Sequence, residues 1–209
     1  MKIEKLIKSE HVADRFYAAL ENGERVKVDV NIIADLSLYA GRELSDAELT
    51  ELRSRSGEFE AKQRALRLLS SRQMSRRELR KKLTEKGATD EAADAAADLM
   101  ERIGAVNDAE YAASIVRHYS KMGYGAGRIR QELLRRGVDK ELWDDALSGL
   151  PESGDKLDEL ITRRLRGGDP DEKELKRLTD MLIRRGFSWS EVRASLARYN
   201  ETLELEETD

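Results

Sequence analysis

The residues able to do covalent or metal chemistry are few in this sequence and poorly placed for it. His11 and His118 stand far apart and there is no cysteine, so neither a zinc site nor a Cys/His nucleophile pair can be written. Acids are plentiful, but carboxylates spread along helical surfaces are not a poised acid–base pair. One glycine run, Gly123-Tyr124-Gly125-Ala126-Gly127, resembles a phosphate cradle. It follows a helical pattern rather than a strand, and it lacks the Lys-Ser/Thr pair that would reach phosphate and magnesium. A flexible joint between two helices is the better reading, with Tyr124 either a surface contact or a local core anchor. The expectation is a protein that is not an enzyme, with no catalytic residue, cofactor or metal.

Cations are the more promising group. Arg76, Arg77, Arg80, Lys81, Arg128, Arg130, Arg135 and Arg136 fall in two short segments. Segment 75–87 has six bases and two acids and segment 125–137 four and one, whereas the stretches that follow are acidic, with five acids to one base over 90–103 and four to one over 139–149. Each unit is therefore electrically two-sided. The cations form either a basic ridge that faces DNA phosphates or an acidic protein, or solvated faces whose charges pair within the chain at little gain. The net charge of −4 and pI near 5.5 tell against a strong, nonspecific DNA binder. Eleven aromatics spread along the chain make no base-stacking platform; Trp143 reads as core and Trp189, beside a helix start, as partly exposed.

The elements that must position these residues are mostly helices. Apolar residues make up 39% and charged residues 38%, with two prolines, a mixture that suits surface-rich helices. No apolar run approaches the roughly 20 residues of a membrane span, and the first ten residues have no signal-peptide core. A cytoplasmic location is expected. Near the start, Asn22-Gly23 is a two-residue hairpin signal, with residues 15–20 before it and the alternating Val26, Val28 and Val30 after it. Residues 2–7 fit either a third strand or a helix. Short helices are expected over 31–40 and 46–55, the second opened by a capping box of Ser45 and Glu48.

From about residue 58 the pattern repeats. Segments 75–87, 125–137 and 174–186 superpose, each with an aliphatic pair (Leu79/Leu83, Ile129/Leu133, Leu178/Leu182) and a closing Gly87, Gly137 or Gly186. A glycine at C′ ends a helix in the left-handed conformation, and the accompanying apolar contact between C3 and C″ is available in every copy, Leu83 with Ala88, Leu133 with Val138 and Leu182 with Phe187. Thr89, Asp139 and Ser188 then serve as N-caps for a further helix, and Ser75 with Glu78 forms another capping box. Helices before the repeated segment carry Phe59, Leu66 and Leu69; Tyr111, Ile115, Tyr119 and Met122; and Leu157, Leu160, Ile161 and Leu165. Helices after it carry Ala92, Ala96, Leu99 and Ile103; Leu142, Trp143 and Ala146; and Val192, Leu196 and Tyr199. The reading is a mainly α fold of three tandem three-helix repeats, at 58–106, 107–150 and 151–200. A β-hairpin and short helices at 1–57 precede them, and an acidic tail at 201–209 frays at the end.

Several of these residues resemble a known family. The run Ala65-Leu66-Arg67-Leu68-Leu69, then 75–83 with Lys86-Gly87, is similar to the first repeat of RecX regulators. Asp108, Tyr111 and Ala112, then Lys121-Met122-Gly123-Tyr124-Gly125, 128–133 and Arg136-Gly137-Val138 resemble the second. The third unit keeps the glycine frame alone, and Ala126 stands where family members often have proline, which should loosen the start of that helix. The resemblance implies a monomeric, non-enzymatic protein that lies in the groove of the RecA–DNA filament. It would inhibit ATP hydrolysis and strand exchange, promote disassembly, and so modulate recombination, DNA repair and the SOS response. It implies RecA or DNA contacts at Arg76, Arg77, Arg80, Lys81, Lys121, Tyr124, Arg128, Arg130, Arg135 and Arg136, with DNA bound weakly or through the filament, and no membrane. The alternative is a helix-turn-helix regulator that binds DNA directly.

Overall fold

A computed structural model describes residues 1–10, 14–150, 153–165 and 170–206, with side chains described for all but 153 and 201–206. His11, Pro151 of the second join and the end of the acidic tail lie outside these residues. The chain divides into two compact units, Met1–Val106 and Asn107–Asp209.

The first unit opens with an antiparallel sheet of β1 (Ile3–Lys8), β2 (Phe16–Leu20) and β3 (Arg25–Val28), in that order. The Asn22-Gly23 signal makes a hairpin, but with a three-residue loop in place of the expected two-residue one: the Leu20 amide donates to the Glu24 carbonyl and the Gly23 amide to the Leu20 carbonyl. Only Gly23 takes a positive φ, +82°, while the Asn22 side chain accepts from the Glu24 amide at 3.0 Å. Residues 2–7 are a strand and not a helix. Their irregular apolar spacing reflects a bulge between Ile3 and Lys5, which turns Ile3 fully inward while Ile7 stays exposed. Helix α1 (Val30–Asp35), capped by Asp29, is shorter than the expected 31–40, because the chain turns at Ser37 (φ +48°) to bury Leu38.

The largest departure from the sequence reading is α2 (Asp46–Ser71). The expected short helix at 46–55 and the first helix of the first repeat are one continuous helix, capped by the Ser45/Glu48 box. A glycine inside a helix costs only about 1 kcal/mol, so Gly57 does not break it when both halves have something to bury. Leu49 and Leu52 pack on the sheet with Ile3, Leu20 and Val28. Ala61 and Ala65 pack on α3 (Arg76–Glu85) and α4 (Asp90–Arg102), meeting Leu79, Leu83, Ala92, Ala93, Ala96 and Ala97. On α2 and α4 the residues of this core are mostly alanines. Leu66 and Ile103, placed inside by helical spacing, are more than half exposed (51% and 58%).

The second unit holds α5 (Asp108–Lys121), α6 (Ala126–Arg135), a 3₁₀ turn at Lys140–Leu142 and α7 (Trp143–Ser148), followed by α8 (Ser153–Leu165), α9 (Glu172–Arg184) and α10 (Trp189–Glu206). One cluster gathers Tyr111, Ile115, Ile129, Leu133 and Val138. Trp143 packs against it, half-buried, and donates its indole N–H to the Val138 carbonyl at 3.1 Å. A second cluster gathers Leu157, Ile161, Leu178, Leu182, Phe187 and Val192. Met122 and Trp189 lie outside both, exposed. Helix α10 runs to Glu206, so the first part of the expected fraying tail is helical.

All three middle helices end as the glycine spacing predicts. Gly87, Gly137 and Gly186 have φ of +88°, +70° and +90°. In each, the glycine amide and the next amide turn back to the carbonyls at C2 and C3: Gly87 to Thr84 and Ala88 to Leu83, Gly137 to Leu134 and Val138 to Leu133, Gly186 to Ile183 and Phe187 to Leu182. Thr89 and Ser188 cap the helices that follow. Asp139 does not; the chain passes through the 3₁₀ turn instead.

The run at Gly123–Gly127 is a packed joint, which corrects the expectation of a flexible one. Gly125 supplies no side-chain cap to α6. Its amide donates to the Arg185 carbonyl and the Gly127 amide to the Gly186 carbonyl, both at 2.9 Å. The carbonyl-rich end of α9 thus satisfies the amide-rich start of α6, an arrangement the two helix dipoles favour. The same bonds hold the helix start that lacks a proline at Ala126. Glycine is obligatory on both sides: a Cβ on Gly125 would lie 2.5 Å from the Gly186 oxygen, and one on Gly186 would lie 2.1 Å from the Arg128 nitrogen.

Gly87 and Gly186 therefore separate two costs. Gly87 has the same left-handed backbone, with nothing near its would-be Cβ. In urea unfolding followed by circular dichroism, Gly87→Ala should lose about 1–2 kcal/mol, and Gly186→Ala at least about twice that, since overpacking adds its own penalty. Equal losses in the two variants would mean that α6 approaches Gly186 loosely.

Candidate functional site

The candidate cations sit on α3 and α6, and the fold treats them unequally. On α3, Arg76 and Arg80 turn toward the acidic face of α4. Arg76 bonds Asp98 through Nε at 3.2 Å and reaches Glu101 at 3.5 Å. Arg80 bonds Asp94 at 2.7 Å and Asp90 at 3.0 Å. The Asp98 hydrogen bond holds the Arg76 guanidinium above its ordinary pKa, against a smaller opposing effect of burial. The two-sided charge pattern is thus largely a zipper between neighbouring helices. Arg77 points away, exposed, and Lys81 has only an exposed contact with Glu85 at 3.8 Å.

On α6 the division is similar but the acid is internal. Arg135 and Arg136 both donate to Glu132, at 2.9 and 2.6 Å, and Arg136 also donates to the Tyr111 hydroxyl at 2.9 Å. Arg128 and Arg130 are exposed; Arg128 donates to Gln131 at 3.1 Å. Lys121 is exposed at the end of α5. Tyr124 is half-buried, its ring 5.5 Å from that of Tyr119 and 5.9 Å from the Arg185 guanidinium. It serves as a local anchor at the glycine joint. Of the ten residues singled out in the sequence, Arg77, Lys81, Lys121, Arg128 and Arg130 present charge outward, while Arg76, Arg80, Arg135 and Arg136 have internal partners.

Glu132 enters the sequence reading only as the one acid of a basic segment. Its side chain is 4% exposed, and helical phase alone would have placed it beside Ile129 and Leu133 on the buried face. The Arg135 hydrogen bond, opposed by burial and assisted by Arg136 and Tyr119, lowers its pKa from 4.5 to about 2. An acid whose folded pKa is depressed stabilises the fold above its unfolded value, and that stability is lost as pH falls through the folded value. Glu132→Gln should therefore cost about 2 kcal/mol at pH 7, allowing for screening of the exposed Arg135. The difference from the parent protein should shrink as pH falls from 4.5 toward 2, measured by urea midpoints across that range. A difference constant with pH would show that the carboxylate charge does not matter.

Among the described residues no group of three or more His, Asp or Glu side chains converges as a metal site would, and no helix is long and apolar enough to cross a membrane.

The glycine-closed helices have counterparts elsewhere. Two family models match, "RecX, first three-helix domain" over residues 61–98 and "RecX, second three-helix domain" over residues 107–147. The chain is similar to "Regulatory protein RecX" of Xanthomonas citri, 39% identical over 137 residues, covering 64% of this chain and 83% of the relative. It is also similar to the protein of that name from Mycolicibacterium vanbaalenii, 32% identical over 164 residues and covering 73% and 89% of the two chains. Among solved structures, one titled a crystal structure of regulatory protein RecX superposes with a TM-score of 0.72 at 24% identity, covering 92% of this chain and 97% of its own. RecX from Lactobacillus salivarius gives 0.63 at 20%, covering 69% and 97%; both agree with the fold. Because relatives at 39% identity are matched over 83% of their length, and both family domains coincide with glycine-closed helices, the chain belongs to the RecX family of regulatory proteins.

Proposed function

We propose that this protein binds the filament of a RecA-type recombinase and restrains it, slowing ATP hydrolysis and strand exchange. The observation that carries the reading is the match of two three-helix domains to the RecX regulators. It acts as a cytoplasmic monomer, without a cofactor, on recombination and repair.

The contacts assigned to this role are the cations that keep their charge outward: Arg77 and Lys81 on α3, Lys121 on α5, and Arg128 and Arg130 on α6. Their carriers are well suited to it. Each middle helix is fixed by its glycine stop, so an outward arginine is displayed from a rigid element. Arg76, Arg80, Arg135 and Arg136 play a supporting part: they hold helix to helix or brace a buried acid, and a partner would have to break an existing ion pair to use them.

The test is single-strand-DNA-dependent ATP hydrolysis by RecA, titrated with this protein. Inhibition is expected at less than one protein per RecA subunit. Arg77→Glu, Arg128→Glu and Arg130→Glu together should weaken inhibition on the order of tenfold, since each exposed charge contact contributes a fraction of a kcal/mol and reversal turns attraction into repulsion. Helicity and melting temperature should not change. Undiminished inhibition by that variant would remove the contact assignment. Tight duplex binding with no effect on hydrolysis would replace the proposal with direct DNA regulation.

A further inference from the structure

The last three helices carry an arginine arrangement unlike those of α3 and α6. A groove of about 370 Å³ runs between the end of α8 and one face of α9, lined by Arg164, Leu165, Glu174, Arg177, Leu178, Met181 and Arg184. On α9 the lining residues recur at helical spacing, so Arg177 and Arg184 stand two turns apart, about 10 Å along the axis, with Met181 between them. Leu178 is buried, Leu165 and Met181 are half-buried, and the three arginines are exposed.

Among the described residues these guanidinium groups have no internal acid partner. Arg76 and Arg80 are met by an acidic neighbouring helix and Arg135 and Arg136 by Glu132, but Arg164, Arg177 and Arg184 pair with no carboxylate among the described residues. The first part of α10 is not acidic: residues 189–199 carry two arginines and one glutamate, and the other acids of that helix, Glu201, Glu204 and Glu206, fall in its last six residues. Arg198 on α10, by contrast, is held by Asp158 at 2.8 Å. Three like charges around one concavity repel one another, and a bound anion relieves that repulsion.

The apolar floor narrows the choice of anion. Guanidinium groups grip phosphate oxygens through paired N–H donors, and a floor of leucine and methionine offers an apolar surface beside them. A single strand supplies both parts at every step, a phosphate and a flat base whose faces are open. A groove of 370 Å³ accommodates about a nucleotide unit, whereas a duplex is too wide to enter and keeps its base faces stacked inside. We propose that the groove between α8 and α9 is a binding site for single-stranded nucleic acid, held by Arg164, Arg177 and Arg184 through phosphate and by Leu165 and Met181 through a base. Glu174, the one acid at the rim, opposes the phosphate and sets the affinity below what three arginines alone would give.

The site is tested with the full chain and no recombinase present, so it stands or falls separately from the filament proposal. The probe is a fluorescent thymidylate oligomer of about 20 nucleotides, longer than one site needs, with anisotropy read against salt. The variant with Arg164→Gln, Arg177→Gln and Arg184→Gln should bind on the order of tenfold more weakly. Its salt slope should be smaller by about 2, since each phosphate contact on a single strand contributes about 0.7. Arg163→Gln, exposed on α8 outside the groove, should change neither. Glu174→Gln should bind about twofold more tightly or better, a gain that misfolding cannot produce. The proposal is overturned if the parent protein leaves the oligomer unbound, if the triple variant matches it in affinity and slope, or if a duplex of the same length binds equally well. Binding of polyglutamate in place of the oligomer would reassign the groove to an acidic polypeptide.

Discussion

Helices of ten to thirteen residues are marginal in water by themselves, and α3, α6 and α9 are of that length. What lets each persist is the way it stops. A left-handed glycine turns the chain so that two orphan carbonyls are satisfied at once and the next residue lays its side chain back on the helix. That single turn fixes the direction in which the following segment leaves. In this chain it does so at Gly87, Gly137 and Gly186 with the same pair of hydrogen bonds. The cores of the helical part are arranged around those turns: Leu83, Leu133 and Leu182, which accept the returning amides, are all fully buried.

The glycine of α9 has a second task. Its carbonyl and that of Arg185 accept the first amides of α6, so one helix end completes another that has no capping side chain of its own. Such a contact is intolerant of side chains because backbone meets backbone. The glycines at 125 and 186 are required by this approach as well as by local conformation, and Tyr124 with Arg185 closes the side of the joint. The region that most resembled a ligand loop in the sequence is occupied by the protein's own backbone.

Charge is disposed differently in each copy of the helical unit. In the first, an acidic helix lies along the basic one and engages Arg76 and Arg80. In the second, the acid is Glu132, drawn inside the same helix and nearly buried. In the third, Asp158 holds Arg198, while Arg164, Arg177 and Arg184 meet no carboxylate among the described residues and surround a groove. An arginine met by a carboxylate must be desolvated and unpaired before it can serve a partner, a cost that an unpartnered arginine avoids. The cations of the first two units that the fold leaves open to solvent are therefore a subset, Arg77, Arg128 and Arg130 among them.

Much of this was legible in the sequence. The hairpin at Asn22-Gly23, the caps at Ser45, Thr89 and Ser188, and above all the three glycine stops depend on a few neighbouring residues whose backbone preferences are intrinsic, and short-range chemistry is written in order along the chain. The helical length of α2 was not legible, because a glycine at position 57 disfavours helix by itself and only the sheet on one side and α3 with α4 on the other make continuation favourable. Nor was the core position of the small alanines against the exposed Leu66 and Ile103, since periodicity gives a face but not which face a neighbour will cover. The same holds for charge. Composition showed that α3 and α6 are basic, but whether an arginine meets an aspartate, a buried glutamate or an open groove depends on which helix lies beside it, and only the tertiary structure brings those helices together.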